Sequence, residues 1–192
     1  MEKKGMVREY VEAIVVALLL ALLVRTFVVQ AFRIPSGSMI PTLLIGDQIL
    51  VDKVVYHFRK PKREEILVFK YPEDPSRDFI KRVVGLPGET LEIRNRKVYI
   101  NGQLLEDGGY AYHEMFDNFR IPPRDDYGPV TIPANNYFVM GDNRENSQDS
   151  RFWGFLSEDK IVGRAFVIYW SRNIERWFPA EIRLSRFGHL VE

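Results

Sequence analysis

The chain contains no cysteine. Disulfide staples, thiolate nucleophiles and cysteine-based metal sites are therefore excluded. Histidine is scarce: His57, His113 and His189 are the only three, and none sits in an HExxH or other ligand spacing. A zinc peptidase has no support on that pattern, and neither a metal nor a cofactor is expected. The chain also lacks a charge imbalance. Its 27 Lys and Arg meet 26 Asp and Glu; residues 1–32 hold four basic and three acidic side chains, leaving 23 of each beyond them. A neutral body lacks the electrostatic footprint of a nucleic-acid binder, so no nucleic-acid partner is expected. Internal repeats are missing, and so is any convincing amphipathic helix beyond the N-terminus. What remains is 192 residues, 46% hydrophobic, enough for one ordinary domain with an anchor and too apolar for disorder.

The apolar material is concentrated first at the N-terminus. Lys3, Lys4 and Arg8 precede a run from Ala13 to Val24 with no polar residue, and Ala13–Phe32 has only three polar interruptions. Twenty helical residues span roughly 30 Å, the thickness of a bilayer's hydrocarbon core. Arg25 lies near one end, where its head can reach the lipid headgroups. A cleaved signal peptide with its exit at Val29-Gln30-Ala31 is the competing reading. Length favours an uncleaved anchor. The three basic residues of the tail favour an N-terminus inside, although Arg33 beyond the span weakens the asymmetry.

From residue 33 the pattern changes to short strands between turns. Gln48–Val55, Ile66–Lys70, Phe79–Val84, Leu91–Ile93, Val98–Ile100, Gln103–Leu105, Asn136–Met140 and Ile161–Trp170 read as strands, with hairpin turns at Asn95-Arg96 and Asn101-Gly102. Residues 106–135 read as an exposed loop. The expectation is an all-β catalytic domain over 33–192, with a small β insert at about 89–136, tethered by one helix and tail over 1–32.

Three stretches carry possible chemistry. Ile34-Pro-Ser-Gly-Ser-Met-Ile-Pro-Thr42 holds two serines on a turn that Pro35 and Pro41 keep out of continuous helix. A hydroxyl there can be a nucleophile only if a base reaches it. The histidines sit in contexts that suit solvated surface side chains, although a Ser-His-Asp set is arithmetically open. Lys81 is the better candidate for a base, although the strand alone favours a surface lysine that snorkels to water. It lies with Arg82 inside the apolar strand Phe79–Val84, where alternation points the two to opposite faces. Burial of an inward Lys81 would depress its pKa, and about 3 kcal/mol of desolvation is enough to bring it near 8. The third stretch, Gly141–Gly154, is polar for eleven residues and then aromatic. Its Asp, Asn, Ser and Arg are the types that hold a loop rigid.

Taken together and in order, Ile34–Thr42, Ile80–Gly88 and Gly141–Gly154 resemble the conserved boxes of bacterial type I signal peptidases, over about residues 8–176. The resemblance implies a membrane-anchored serine endopeptidase with a β-rich fold, removing signal peptides from secreted preproteins outside the cytoplasmic membrane, near the export machinery. It implies Ser38 as nucleophile, Lys81 as general base, and the Ser38 N–H with the Ser36 hydroxyl as oxyanion hole. Ser147 would orient the Lys81 amine. Asp149 and Arg151 would form a supporting ion pair, with Arg82 joining it. Met39 and Ile80 would flank the residue before the cut, and Phe32, Ile34, Ile49 and Val68 the pocket two residues upstream, giving cleavage after Ala-x-Ala. Some members carry two spans and a large cysteine-bearing insert; this chain resembles the minimal form. A Ser/Lys autoprotease of the SOS-repressor kind would need a DNA-binding module where the apolar run stands. A non-enzymatic tethered β module would leave three matched boxes without a role.

Overall fold

The computed structural model describes residues 3–113, 121–173 and 181–191. Helix α1 (Lys3–Leu23) continues through one π-helical turn to Val28, and its apolar side chains are exposed on all sides. Gly5–Val28 is long and apolar enough to cross a membrane. The helical span expected to reach Phe32 ends four residues earlier. Val29–Arg33 is strand β1, because these residues pair in register with β2 (Asp47–Asp52), Val29 opposite Asp52 and Arg33 opposite Gln48. An apolar run cannot by itself say where helix gives way to strand.

The remaining elements follow as short helix α2 (Val55–Phe58), then β3 (Ile66–Tyr71), β4 (Asp74–Gly85), β5 (Thr90–Arg94), β6 (Lys97–Ile100), β7 (Gln103–Leu104), β8 (Tyr127–Thr131) and β9 (Asn136–Met140). A one-turn helix α3 (Ser150–Trp153), β10 (Leu156–Ser157), β11 (Ile161–Ser171) and β12 (His189–Leu190) complete them. An antiparallel sheet in the order β1-β2-β11-β3-β4-β9-β10, with β12 on β11, forms the body. The insert folds as its own sheet, β7-β6-β5-β8, its tight turns at Asn95-Arg96 and Asn101-Gly102 taking the positive φ that such turns need. Within 106–135, expected as loop, Tyr127–Thr131 is strand β8. It tolerates Pro129 because it is the sheet's edge. Residues 114–120 of that loop lie outside the described residues.

Strand alternation divides the core. On β3, Ile66 and Val68 face a cluster with Ile34, Met39, Leu43 and Ile49, while Leu67 and Phe69 face one with Val83, Tyr137 and Val139. On β9, Phe138 and Met140 point instead to the insert, against Leu91, Ile93 and Ile132. The first cluster lies directly beneath the Ile34–Thr42 turn.

Candidate active site

The turn is closed at its base by two backbone bonds, Ile34 N–H to Asp47 O at 2.8 Å and Gly46 N–H to Ile34 O at 3.0 Å. Ile34 and Met39 are sunk into the core below, which leaves Ser38 at the top. Strand β4 brings Lys81 to it: Lys81 Nζ donates to Ser38 Oγ at 2.8 Å and to the Ile80 carbonyl at 2.9 Å. Both side chains are almost fully covered, Ser38 at 8% and Lys81 at 4% exposure. Burial pulls the Lys81 ammonium down from 10.5 to about 8; the Asp149 and Asp142 carboxylates pull the other way without restoring it. Among the described residues no carboxylate pairs directly with Lys81, and the Ser38 N–H has no backbone acceptor.

The Gly141–Gly154 loop backs this pair. Asn143 N–H donates to Ser38 O at 3.1 Å, and Asn143 Nδ2 to Gly37 O at 3.4 Å. Gly141 is required by space: a Cβ there would stand 2.4 Å from Ser38 O and 2.3 Å from Ser147 Oγ. Ser147 Oγ is buried and does not meet Lys81 in this conformation, so the expected bond is not made; the hydroxyl lies by Asp149 and helps hold that carboxyl ionised. Asp149 and Arg151 form the expected pair in bidentate geometry, both bonds 2.8 Å. Burial alone would push the Asp149 carboxyl up, but Arg151 and the Gly141 N–H hold it below the ordinary range. Arg82 does not join that pair. Its guanidinium is committed to Asp142, at 2.8 and 2.7 Å, with Glu64 O at 2.8 Å and the Tyr110 ring 4.0 Å away. Asp142 is the site residue that sequence reasoning missed. Two aspartates flank the loop, and composition alone could not say which one meets Arg82.

A cleft of about 490 Å³ opens over the pair, lined by Ser36, Ser38, Arg77, Phe79, Ile80 and Lys81 among others. Ser36 is exposed and lines the same cleft as Ser38. Of the residues expected to shape the substrate pockets, Ile80 lines the cleft. Ile34, Met39, Ile49 and Val68 are instead buried in the core cluster, with Phe32 and Ile80 packed against it; they floor the site rather than wall it. A larger cavity, about 900 Å³, lies elsewhere, between the end of the N-terminal helix and α2. The histidines stand apart: His57 contacts Val54 O, His113 pairs with Glu145, and His189 is exposed in β12.

A family model described as signal peptidase, peptidase S26, matches residues 7–170. The chain belongs to this family. It is accordingly a serine peptidase. A signal peptidase I of Leptolyngbya laminosa is 44% identical over 172 residues, 86% of this chain and 80% of that one. The signal peptidase I of Aquifex aeolicus is 36% identical over 226 aligned positions, 91% of this chain and 88% of its own. A crystal structure of a signal peptidase I from Enterococcus faecalis covers 55% of this chain and 97% of its own, with a TM-score of 0.46 at 34% identity.

In a serine peptidase a buried serine hydroxyl needs an adjacent group able to remove its proton near neutral pH. Of the groups that touch Ser38 Oγ here, Lys81 is the titratable one. Beside the pair, the outer edge of β4 has no strand paired to it among the described residues. The β9 ladder begins only at Arg82, opposite Met140, while Asp78–Lys81 pair with β3 alone. An extended peptide can add to such an edge as a further strand.

Proposed function

We propose that this chain is a membrane-anchored endopeptidase that removes signal peptides from exported preproteins by a Ser38/Lys81 dyad. The observation that carries the reading is the 2.8 Å contact between a covered hydroxyl and a covered lysine amine titrating near 8. The neutral Lys81 amine accepts the Ser38 proton as Oγ attacks the scissile carbonyl carbon. The Ser38 N–H and the Ser36 hydroxyl hold the resulting oxyanion. The lysine ammonium then returns the proton to the departing amine nitrogen, the C–N bond breaks, and an ester on Ser38 remains. A water, deprotonated by the same amine, attacks that ester; the new acid leaves and Ser38 regains its proton. Ser147, buried beside this pair, turns to accept from the ammonium and orients it. Asp149–Arg151 and Arg82–Asp142 hold the loop that carries Ser147.

The substrate adds to the open edge of β4, with alternate side chains facing the wall. Ile80 crowds the position before the cut, over a core floor of branched side chains that are stiff at χ1. Small residues fit there and two positions earlier, so cleavage follows Ala-x-Ala. The N-terminus lies inside the cytoplasmic membrane and the β body outside, near the export machinery, with the lipid bilayer around residues 5–28.

The test is cleavage of a preprotein by the full chain in detergent. Ser38→Ala and Lys81→Ala are each expected to abolish it while the protein stays folded. Lys81→Arg fails too, because a guanidinium does not give up its proton near neutral pH. Substantial activity in Lys81→Ala overturns the lysine-base assignment. A substrate library in which Leu or Phe is preferred before the cut overturns the pocket assignment alone, and Ile80→Ala is expected to admit slightly larger residues.

A further inference from the structure

The family model stops at residue 170, at the end of β11. The described part of the chain beyond it turns back along β11. Ile182 bridges Arg172, Arg183 N–H donates to Ser171 O at 3.0 Å, Gly188 N–H to Ile168 O at 2.9 Å and Val191 N–H to Phe166 O at 3.0 Å. Two side chains of this strap reach past the sheet to the segment that follows Ser38. Arg186 grips the carboxylate of Asp47, which is fully buried, with Nη2 at 2.6 Å, and the same nitrogen donates to the Thr42 carbonyl at 2.8 Å. Arg183 Nη1 donates to the Ile45 carbonyl at 3.0 Å. Val191 is buried in the cluster that holds Met39 and Leu43.

Thr42 is thereby held from two sides. Its carbonyl takes the bond from Arg186, while its hydroxyl donates to Asp142 Oδ2 at 2.5 Å and accepts from Arg82 at 3.2 Å. Leu43 N–H bonds back to Met39 O at 2.8 Å, so a fixed Thr42 fixes the residue next to Ser38. On the other flank, Asn143 N–H holds Ser38 O. These restraints meet on the residue whose hydroxyl faces Lys81.

We infer that residues 181–191 are a clasp for the catalytic turn, and that Arg186 is a positioning residue for Ser38, acting through the Thr42 carbonyl and the Asp47 carboxylate. This rests on the serine reading above. A buried carboxylate needs its cation, so the Asp47–Arg186 pair keeps the strap seated. The second bond, to a backbone carbonyl four residues from Ser38, passes that placement to the turn. Misplacement of a nucleophile by a fraction of an ångström lowers turnover without touching the groups that bind substrate.

The experiment compares the full chain with Arg186→Ala, Arg186→Lys, Thr42→Val and the Arg186→Ala/Thr42→Val double variant on one peptide substrate, with Ser38→Ala as the zero. Arg186→Ala is expected to lower kcat on the order of tenfold, with KM within about twofold and the rising pH limb unmoved, since Lys81 is untouched. Arg186→Lys keeps the charge on Asp47 and recovers part of the loss; it also serves if Arg186→Ala does not fold. The double variant should lose less than the product of the two single losses, because both act on one turn. A folded Arg186→Ala or Arg186→Lys with parental kcat overturns the clasp. So does a loss confined to KM, or one that follows the unfolded fraction alone. If Ser38→Ala keeps the parent's activity, the serine reading falls and the clasp with it; if Ser38→Ala is dead and Arg186→Ala unimpaired, the clasp alone falls.

Discussion

Lys81 is a cation that the fold has stripped of water and given a hydroxyl and a carbonyl for company, with no direct counter-charge. Its pKa of about 8 against 10.5 when free has two consequences of opposite value to the protein. For catalysis, the fraction of neutral amine rises through pH 8, so kcat/KM for a peptide should climb along one ionisation near that value. A limb near 10.4, the unperturbed lysine value, contradicts it. For stability the sign is unfavourable. The unfolded chain holds the proton more tightly, so the penalty is fully present below pH 8, shrinks between 8 and 10.5, and is gone above. A shift of that size is worth about 3 kcal/mol. Lys81→Met should therefore be inactive yet melt higher than the parent at pH 7, with the difference narrowing by pH 10. The Arg82–Asp142 pair is the opposite case, since both ions are satisfied. Asp142→Ala strands a guanidinium in the core and should cost about 3–5 kcal/mol in chemical denaturation. Lys81 stood out in the sequence as a charge inside an apolar strand, but the strand alone fits a snorkelling surface lysine as well. Only the resemblance of the three boxes pointed to a base. Arg82's partner was not legible, since Asp142 and Asp149 share one loop and only the folded turn separates them.

At the scale of elements, alternation and turn residues located most strands of the body, because a two-residue period survives in the sequence wherever one face is buried. It failed where the period was masked. Val29–Arg33 continues an apolar run and hides its strand character. Tyr127–Thr131 contains Gly128 and Pro129 and looks like loop. The expected pocket residues show a related limit: apolar side chains near a site read alike whether they wall a cleft or floor it, and Ile34, Met39, Ile49 and Val68 lie in the core beneath it. Element packing also decides a glycine. Between β9 and the loop, Gly141 leaves no room for a Cβ against the Ser38 carbonyl, which is backbone and cannot swing aside. Gly141→Ala should destabilise the fold by about 1–3 kcal/mol, as overpacking does. It should also lower kcat more than its small loss in melting temperature suggests, because the displaced atom belongs to Ser38. Equal activity per folded molecule would mean the loop yields instead of the turn.

For the whole molecule, the question is where the anchor ends and the peptidase begins. The helix is exposed along its length and, to Val28, is tied to the body mainly by Lys53, whose amine caps the Thr26 carbonyl at 2.8 Å. From Val29 the chain is sheet. Five residues of β1 pair with β2, and β2 in turn lies beside β11 at the centre of the large sheet. Phe32 packs on the cluster beneath Ser38, and Ile34 is inside it. Two truncations that differ by ten residues should therefore behave differently. A chain starting at residue 24 loses its membrane span but keeps β1 whole. It should be soluble, melt within a few degrees of the parent, and cleave a soluble peptide. A chain starting at residue 34 loses the edge strand, leaves one side of β2 unpaired, and uncovers apolar core at roughly 25 cal/mol per Å² exposed. It should be strongly destabilised and inactive, with the dyad residues all present. If the two truncated chains melt alike, β1 belongs to the tether and the Ile34–Thr42 turn stands without it. If both are folded but neither cleaves a soluble peptide, the span takes part in catalysis beyond holding the enzyme at the bilayer.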